Sequence, residues 1–314
     1  MRVKIKYTGI CGTDLHILSD EYPANYPVVL GHEYSGVIDA VGFGVRDFAL
    51  GDRVVSLTAA VVCGKCRYCY EGLHMLCDSR RSIGSGIDGA MAEYMTVPAD
   101  LLFPVPENVS MKTAVLSEPL ACCVRSVVEV SAVRPGDFVY ISGPGTIGQI
   151  VAQLAKIAGA HVTVAGVGVD ADRLALAKRL SADEVIDLTA ENAMDAARRI
   201  TGGDMFDVVY ECAGAQPSAT TCLDVVRKRG QFVQVGLYGK PIQFDMDKAL
   251  VEEVFMVNSR ATERTSWVTS LRLLAQGRLD LEPLVSNVFR LEEWEKAMAA
   301  AQNKEGFKIL FEIG

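Results

Sequence analysis

The stretch Phe138-Val139-Tyr140-Ile141-Ser142-Gly143-Pro144-Gly145-Thr146-Ile147-Gly148 runs from apolar β-type residues directly into three glycines spaced G-x-G-x-x-G. Thr146 to Gly159 continues as a helix pattern, and His161–Ala165 reads as a second strand. A plain strand-to-helix turn is the bland reading of such glycines, but a strand before, a helix after and a strand beyond favour a βαβ dinucleotide site. In that unit the first glycine allows the tight turn, the second lets a pyrophosphate approach the backbone, and the third lets helix and strand pack closely. The helix N-terminus then offers unpaired N–H groups and a partial positive charge to phosphate. Gly143, Gly145, Thr146, Ile147 and Gly148 are therefore expected around the cofactor, with Gly168, Arg173, Val235, Gly236 and Asn258 as further cofactor contacts.

Outward from this loop, strand and helix patterns alternate. Helices over 171–180, 191–200 and 217–227 separate strands at 184–186, 207–211 and 230–235, which predicts a parallel sheet with helices on both faces. Upstream, Val3–Tyr7, Val28–Leu30, Tyr34–Val41, Arg53–Leu57, Met91–Val97 and Leu101–Val105 read as short strands of a small, partly open barrel, followed by a helix over Met111–Val130. Downstream, strands at 254–257, 285–290 and 308–313 and helices near 264–276 and 292–302 return to mixed α and β.

Length and composition bound the function. The 314 residues suit about two domains of ~150 residues, and 50% apolar content with 22% charge is ample for packed cores. A net charge of −8 argues against a nucleic-acid or anionic-membrane surface. The apolar segment Phe138–Val169 is interrupted by Gln149, Gln153, Lys156 and His161 and by six glycines, which fits a buried strand-helix-strand unit better than a membrane span. Residues Met1–Lys6 alternate like a strand and lack the features of a signal peptide, so a cytoplasmic protein is expected. In that compartment nine cysteines point to metal ligands or buried thiols rather than disulfides.

Cys63, Cys66, Cys69 and Cys77 form C-x2-C-x2-C-x7-C. Four thiolates this close can close a tetrahedral shell around Zn²⁺ with no open position, as structural sites do. Iron–sulfur ligation also uses four cysteines, with different usual spacing, and unpaired buried thiols are the bland alternative. A second set, Cys11 with His32 and a carboxylate from Glu33 or Glu118, supplies the three protein ligands of a catalytic zinc. Each is ambiguous alone, because a single Cys is usually a small core residue. Thr13 and His16, a hydroxyl and an imidazole one turn apart, could pass a proton from a buried alcohol to solvent, or form a local turn bond and an exposed surface group.

Gly9-Ile10-Cys11-Gly12-Thr13-Asp14-Leu15-His16, Gly31-His32-Glu33, Gly51-Asp52-Arg53-Val54, the four-cysteine cluster, Ser117-Glu118-Pro119-Leu120 and Gly143–Gly148 occur in one order. With them the chain resembles the zinc-dependent medium-chain dehydrogenases, and more narrowly the sorbitol and threonine dehydrogenase branch. The resemblance implies a doubly wound Rossmann sheet inserted in a partly open, GroES-like catalytic domain. On that reading residues 1–122 and 260–314 are catalytic and 123–259 bind NAD(P). It further implies that Cys11, His32 and Glu33 bind the catalytic zinc, with Glu118 ligating it or holding its water, and that Thr13 and His16 relay the proton. A glutamate at 118, where the alcohol branch has cysteine, favours a polyol-like secondary alcohol as substrate. A homodimer or homotetramer is expected, with no nucleic-acid or membrane partner.

Two features depart from the family. The family usually has some tens of residues ahead of the strand that opens this chain, so Arg2–Tyr7 is expected to have unpaired edge groups and exposed apolar side chains. The ribose-binding acid is expected about 20 residues after the glycine loop. Here the strand runs into Gly166-Val167-Gly168-Val169, and the first acids are Asp170 and Asp172, which suit NAD. Arg173 follows and could meet the 2′-phosphate of NADP or serve as an ordinary surface charge. A zinc-independent quinone-reductase-like enzyme and a non-catalytic nucleotide-binding relative are the alternative readings.

Overall fold

Val3 and Ile5 alternate with Arg2, Lys4 and Lys6, and this period of two builds the first strand, β1 (Arg2–Gly9), with Val3 and Ile5 fully buried. The computed structural model describes all 314 residues and divides them into two units, Met1–Ala121 with Ala261–Gly314, and Cys122–Arg260.

In the first unit the chain continues through β2 (Glu33–Ala40), β3 (Arg53–Ser56), β4 (Ala59–Val61), β5 (Arg81–Ser82), β6 (Tyr94–Thr96) and β7 (Leu102–Pro104). The second unit supplies β8 (Phe138–Ser142), β9 (His161–Gly166), β10 (Glu184–Asp187), β11 (Phe206–Glu211), β12 (Val226–Gln234) and β13 (Phe255–Asn258). The chain then returns to the first unit with β14 (Val285–Arg290) and β15 (Lys308–Glu312).

The first unit's main sheet has the order β14-β15-β1-β2-β3-β7, with β6 also on β1. β1 is not an open edge. Its start pairs with β6 (Val3 opposite Met95) and its end with β15 (Thr8 opposite Phe311), while β2 runs along its other side. The expectation of unpaired groups and exposed apolar side chains at Arg2–Tyr7 is therefore overturned: two strands from distant parts of the chain divide that edge between them. Val28–Leu30, read as a strand, is irregular, and Met91–Val97 shortens to β6.

The single helix read over Met111–Val130 is three pieces, Met111–Ala114, Ser117–Val124 and a π-type turn at Arg125–Glu129. Ser110 caps the first by accepting the Thr113 N–H at 3.0 Å. Pro119 falls in the first turn of the second, where its missing N–H would have had no intrahelical partner.

The second unit is a six-stranded parallel sheet of order β10-β9-β8-β11-β12-β13. The order in which strands are added reverses between β8 and β11, so the carboxyl ends of those two parallel strands form the topological switch point at which such sheets bind ligands. Tyr140, Phe206, Val209 and Phe232 pack in its core with Ile186 and Leu223. Each such buried side chain contributes roughly 1.5–3 kcal/mol. The helix Thr146–Ile157 buries Ile150, Val151 and Leu154, so the apolar run Phe138–Val169 is strand, helix and strand, and no helix of the protein is long and apolar enough to cross a membrane.

Candidate active site and metal centres

Two short segments of the first unit meet where β1 ends. Cys11 is the N-cap of the helix Gly12–Leu18, His32 precedes β2, and Glu33 is its first residue. One ligand atom from each lies within 4.8 Å of the others, with Glu33 buried and Cys11 and His32 half-buried. A thiolate, an imidazole and a carboxylate at this spacing are the donor set of a three-ligand zinc site with one position left for another ligand. Glu118 does not join that group of three, although it is buried and its charge reaches Lys308.

Asp14 and Lys308 organise this site, and sequence reasoning assigned neither. Asp14 is wholly buried; one carboxylate oxygen accepts the Cys11 N–H at 2.8 Å, the other accepts the Gly31 N–H at 3.3 Å and lies 3.7 Å from His32 Nδ1. One side chain thus joins the two segments that carry Cys11 and His32. The available signal was the spacing Cys11-x-x-Asp14, that of a cap and its reciprocal acid. Lys308 opens β15, a strand whose next three residues are also buried. Its Nζ donates to Glu33 Oε1 at 2.7 Å and to the Ile10 carbonyl at 3.1 Å, and it is 2.7 Å from Glu33 Oε2. A lysine leading an otherwise apolar strand was the clue.

The charges reflect this crowding. Burial alone would lower the His32 pKa, but Cys11 and Asp14 outweigh it and raise it well above the ordinary histidine value. Burial also pulls Lys308 down, while Glu33, Cys11 and Glu118 hold it above its usual value. An environment that favours these two cations is one that would also favour a metal ion.

Thr13 Oγ1 lies 3.7 Å from Cys11 Sγ, and His16 Nδ1 lies 2.6 Å from Glu21 Oε2 near the surface. The hydroxyl thus stands beside the candidate ligand, while the imidazole pairs with an exposed acid.

The second centre is local. Cys63, Cys66, Cys69 and Cys77 bring four sulfurs within 4.8 Å of one another, with Cys63–Cys69 at 3.9 Å and Cys66–Cys69 at 3.5 Å. These separations far exceed the ~2.05 Å of a disulfide, and all nine cysteines are free. The Lys65 N–H lowers the Cys63 pKa to about 6, whereas burial and then Cys66 push Cys69 up to about 12. A cation would favour thiolate at all four positions, and a closed four-sulfur set fits structural zinc. The Met75 N–H, 3.4 Å from Glu263 Oε1, ties this loop to the returning part of the unit.

In the second unit the glycine loop follows β8 at the switch point. Gly143 has φ +102°, and a Cβ there would fall 2.8 Å from the Ala213 nitrogen. Only glycine meets both demands. The space over Gly145 is open within 4 Å at the N-terminus of the helix Thr146–Ile157, as a phosphate cradle requires. Val235, Gly236 and Asn258 lie at the carboxyl ends of β12 and β13, Gly168 in the turn after β9, and Arg173 in the first turn of the helix Ala171–Leu180. The expected cofactor residues therefore share the carboxyl edge of the parallel sheet.

Glu211, not assigned from the sequence, joins the loops of that edge. It is fully buried at the end of β11, and its Oε1 accepts the Ala213 and Gly214 N–H groups at 3.0 Å and the Ser218 hydroxyl at 2.6 Å. Its backbone carbonyl accepts the N–H groups of Val235 and Gly236, both at 2.9 Å.

Comparison with known proteins finds matches in both units. Residues 1–107 match the profile of the alcohol dehydrogenase GroES-like domain, and residues 146–276 that of zinc-binding dehydrogenase. The chain is 39% identical over 311 residues to a sorbitol dehydrogenase of Halalkalibacterium halodurans, covering 99% of this chain and 90% of that one. It is 38% identical over 312 residues to a D-arabitol-phosphate dehydrogenase of Enterococcus avium, covering 99% and 89%. A zinc-binding dehydrogenase from Sinorhizobium meliloti 1021, solved bound to NADP, superposes with a TM-score of 0.92 at 30% identity, covering 99% of this chain and 91% of that one. With its GroES-like first part, its parallel nucleotide-binding sheet and these relatives, the chain belongs to the zinc-dependent medium-chain alcohol dehydrogenase family.

Proposed function

We propose that this protein is a zinc-dependent dehydrogenase that oxidises a secondary alcohol of a polyol, or of a similar small hydroxy compound, reversibly with NAD(P). The observation that carries this reading is the Cys11, His32 and Glu33 donor set within 4.8 Å, half-buried to buried, in a chain whose relatives are named sorbitol and arabitol-phosphate dehydrogenases.

Cys11, His32 and Glu33 would hold the catalytic zinc, with Glu118 as a second acid near it, and Cys63, Cys66, Cys69 and Cys77 would hold a structural one. A zinc held there would supply a Lewis acid that lowers the pKa of the substrate hydroxyl, and a bound dinucleotide would supply the hydride acceptor. Asp14 orients the thiolate and imidazole segments through its two oxygens. Lys308 holds the Glu33 carboxylate in one orientation. Thr13 stands beside Cys11 to accept the alcohol proton, and His16, paired with Glu21 near the surface, passes it to solvent. Gly143, Gly145 and the helix start at Thr146 cradle the pyrophosphate, flanked by Ile147 and Gly148.

The finer expectations belong to the same reading. A reducing, cytoplasmic setting suits nine free thiols. A homo-oligomer suits β13, an edge strand with Phe255 and Met256 exposed beside Leu250 and Val251, which are 75% and 79% exposed.

The test is a screen of polyols, polyol phosphates and simple secondary alcohols with zinc-loaded protein, following the absorbance of reduced cofactor with both NAD and NADP. Reduction with at least one polyol is expected. No reduction by any of them, from protein carrying its full zinc, overturns the reading.

A further inference from the structure

The end of β9 decides which adenosine ribose a dinucleotide site accepts, because the acid that binds the ribose hydroxyls of NAD stands there. In this protein that position is Gly166, and it admits no side chain. A Cβ there would lie 2.9 Å from Pro144 Cγ and 3.0 Å from Asp170 Cβ.

Of the nearby acids, Asp170 and Asp187 already have partners, while Asp172 stands exposed in the first turn of the helix Ala171–Leu180. Asp170 folds back toward the strand end, where Oδ2 accepts the Val167 N–H at 3.1 Å and Oδ1 lies 3.3 Å from Arg173 Nη1. Asp187, at the end of the neighbouring β10, accepts both the N–H and the hydroxyl of Thr189 through Oδ1, at 2.9 and 2.6 Å. Two ribose hydroxyls would have to share Asp170 with a turn N–H and a guanidinium.

The backbone that carries Arg173, by contrast, is tied to the phosphate loop. Gln149 Nε2 donates to the Pro144 carbonyl at 3.1 Å and to the Arg173 carbonyl at 2.8 Å, fixing the start of the helix Ala171–Leu180 onto the glycine turn. The Arg173 side chain is 18% exposed beside Asp170 at 15%. The uncharged residues Val167, Gly168 and Val169 complete the turn.

Resting on the dinucleotide reading above, we infer that this site takes the 2′-phosphorylated dinucleotide, NADP, in preference to NAD, with Arg173 as the specificity-determining residue. A 2′-phosphate offers the guanidinium a doubly charged, multidentate partner, where Asp170 offers one carboxylate oxygen at 3.3 Å. Asp170 keeps its bond to the Val167 N–H when Arg173 turns to the phosphate, so the strand end retains its shape. NAD has no 2′-phosphate to give Arg173 and finds glycine, not an acid, at the strand end itself.

The test compares kcat/KM for NADP and NAD in the wild type, Arg173→Ala and Arg173→Lys, together with calorimetric binding of 2′,5′-ADP and 5′-AMP to the zinc-loaded full chain. Wild type is expected to favour the 2′-phosphorylated member of each pair by about tenfold or more, the scale of a hydrogen bond to a charged group. Arg173→Ala should erase most of that ratio and Arg173→Lys should restore part of it. A wild-type preference for NAD and 5′-AMP, or a ratio unmoved by Arg173→Ala, overturns the inference while leaving the dinucleotide reading intact. Failure of all four probes to bind overturns both.

Discussion

The two candidate metal centres of the first unit are built in opposite ways. Cys63, Cys66, Cys69 and Cys77 lie within one fifteen-residue loop, whereas Cys11 comes from one segment and His32 with Glu33 from another, joined by Asp14 and Lys308. A local centre depends on spacing and on the conformation of a single loop. A dispersed one depends on strand register: Gly9 pairs with Glu33 on β2 and with Leu310 on β15, and that register brings Lys308 to the carboxylate. The loop centre is closed by four like ligands and suits a structural role. The dispersed one mixes ligand types and leaves a coordination position for chemistry.

Loss of a dispersed ligand should act on chemistry far more than on stability. His32→Ala or Cys11→Ser is expected to lower kcat by about a thousandfold or more, in keeping with the several kcal/mol that a metal contributes to charge stabilisation. Elemental analysis should show the zinc of the four-cysteine loop retained and dinucleotide binding largely intact, since the glycine loop lies in the other unit. Near wild-type turnover on a good substrate would break the contrast.

The loop centre should behave the other way. Cys66→Ser opens a closed shell, and loss of a structural metal is among the few single changes that exceed about 4 kcal/mol. Melting temperature and zinc content are expected to fall together, with aggregation preceding any specific kinetic defect. An unchanged melting curve at unchanged zinc content would show that these sulfurs hold no metal.

Lys308→Met sharpens the comparison by removing the one cation that faces Glu33. Leaving a buried carboxylate unpaired costs about 3–5 kcal/mol, so the denaturation midpoint should drop, and should drop further once zinc is stripped, because a bound cation compensates Glu33. Equal losses with and without zinc would separate Glu33 from the metal. Lys308→Arg should recover part of the stability.

Glu211→Gln probes the other unit and is the mildest change. The amide keeps one acceptor for the Ala213 and Gly214 N–H groups but loses the charge that strengthens those bonds. About tenfold weaker dinucleotide binding is expected at unchanged zinc content. Affinity unchanged by titration calorimetry would show that the loop keeps its shape without the carboxylate.

The sequence by itself determined what short-range spacing encodes. The three glycines after an apolar run specify a strand, a tight turn and a helix start, because each glycine meets a local steric demand, such as Gly143 against Ala213. Four cysteines in fifteen residues need only one loop to converge. The alternation of strand and helix after Phe138 set the parallel sheet, since a crossover helix can return the chain only beside a parallel strand. Tertiary structure alone decided what depends on residues far apart. It covered β1 with β6 and β15 where open edge groups were expected, and it divided the helix read over 111–130 into shorter pieces. It brought Glu33, rather than Glu118, within 4.8 Å of Cys11 and His32, and set Lys308 against that carboxylate across 275 residues of chain. Side-chain periodicity reports which face of a strand is buried, but carries no information about which strand lies beside it; that pairing is settled by the whole fold, and the dispersed site is assembled from it.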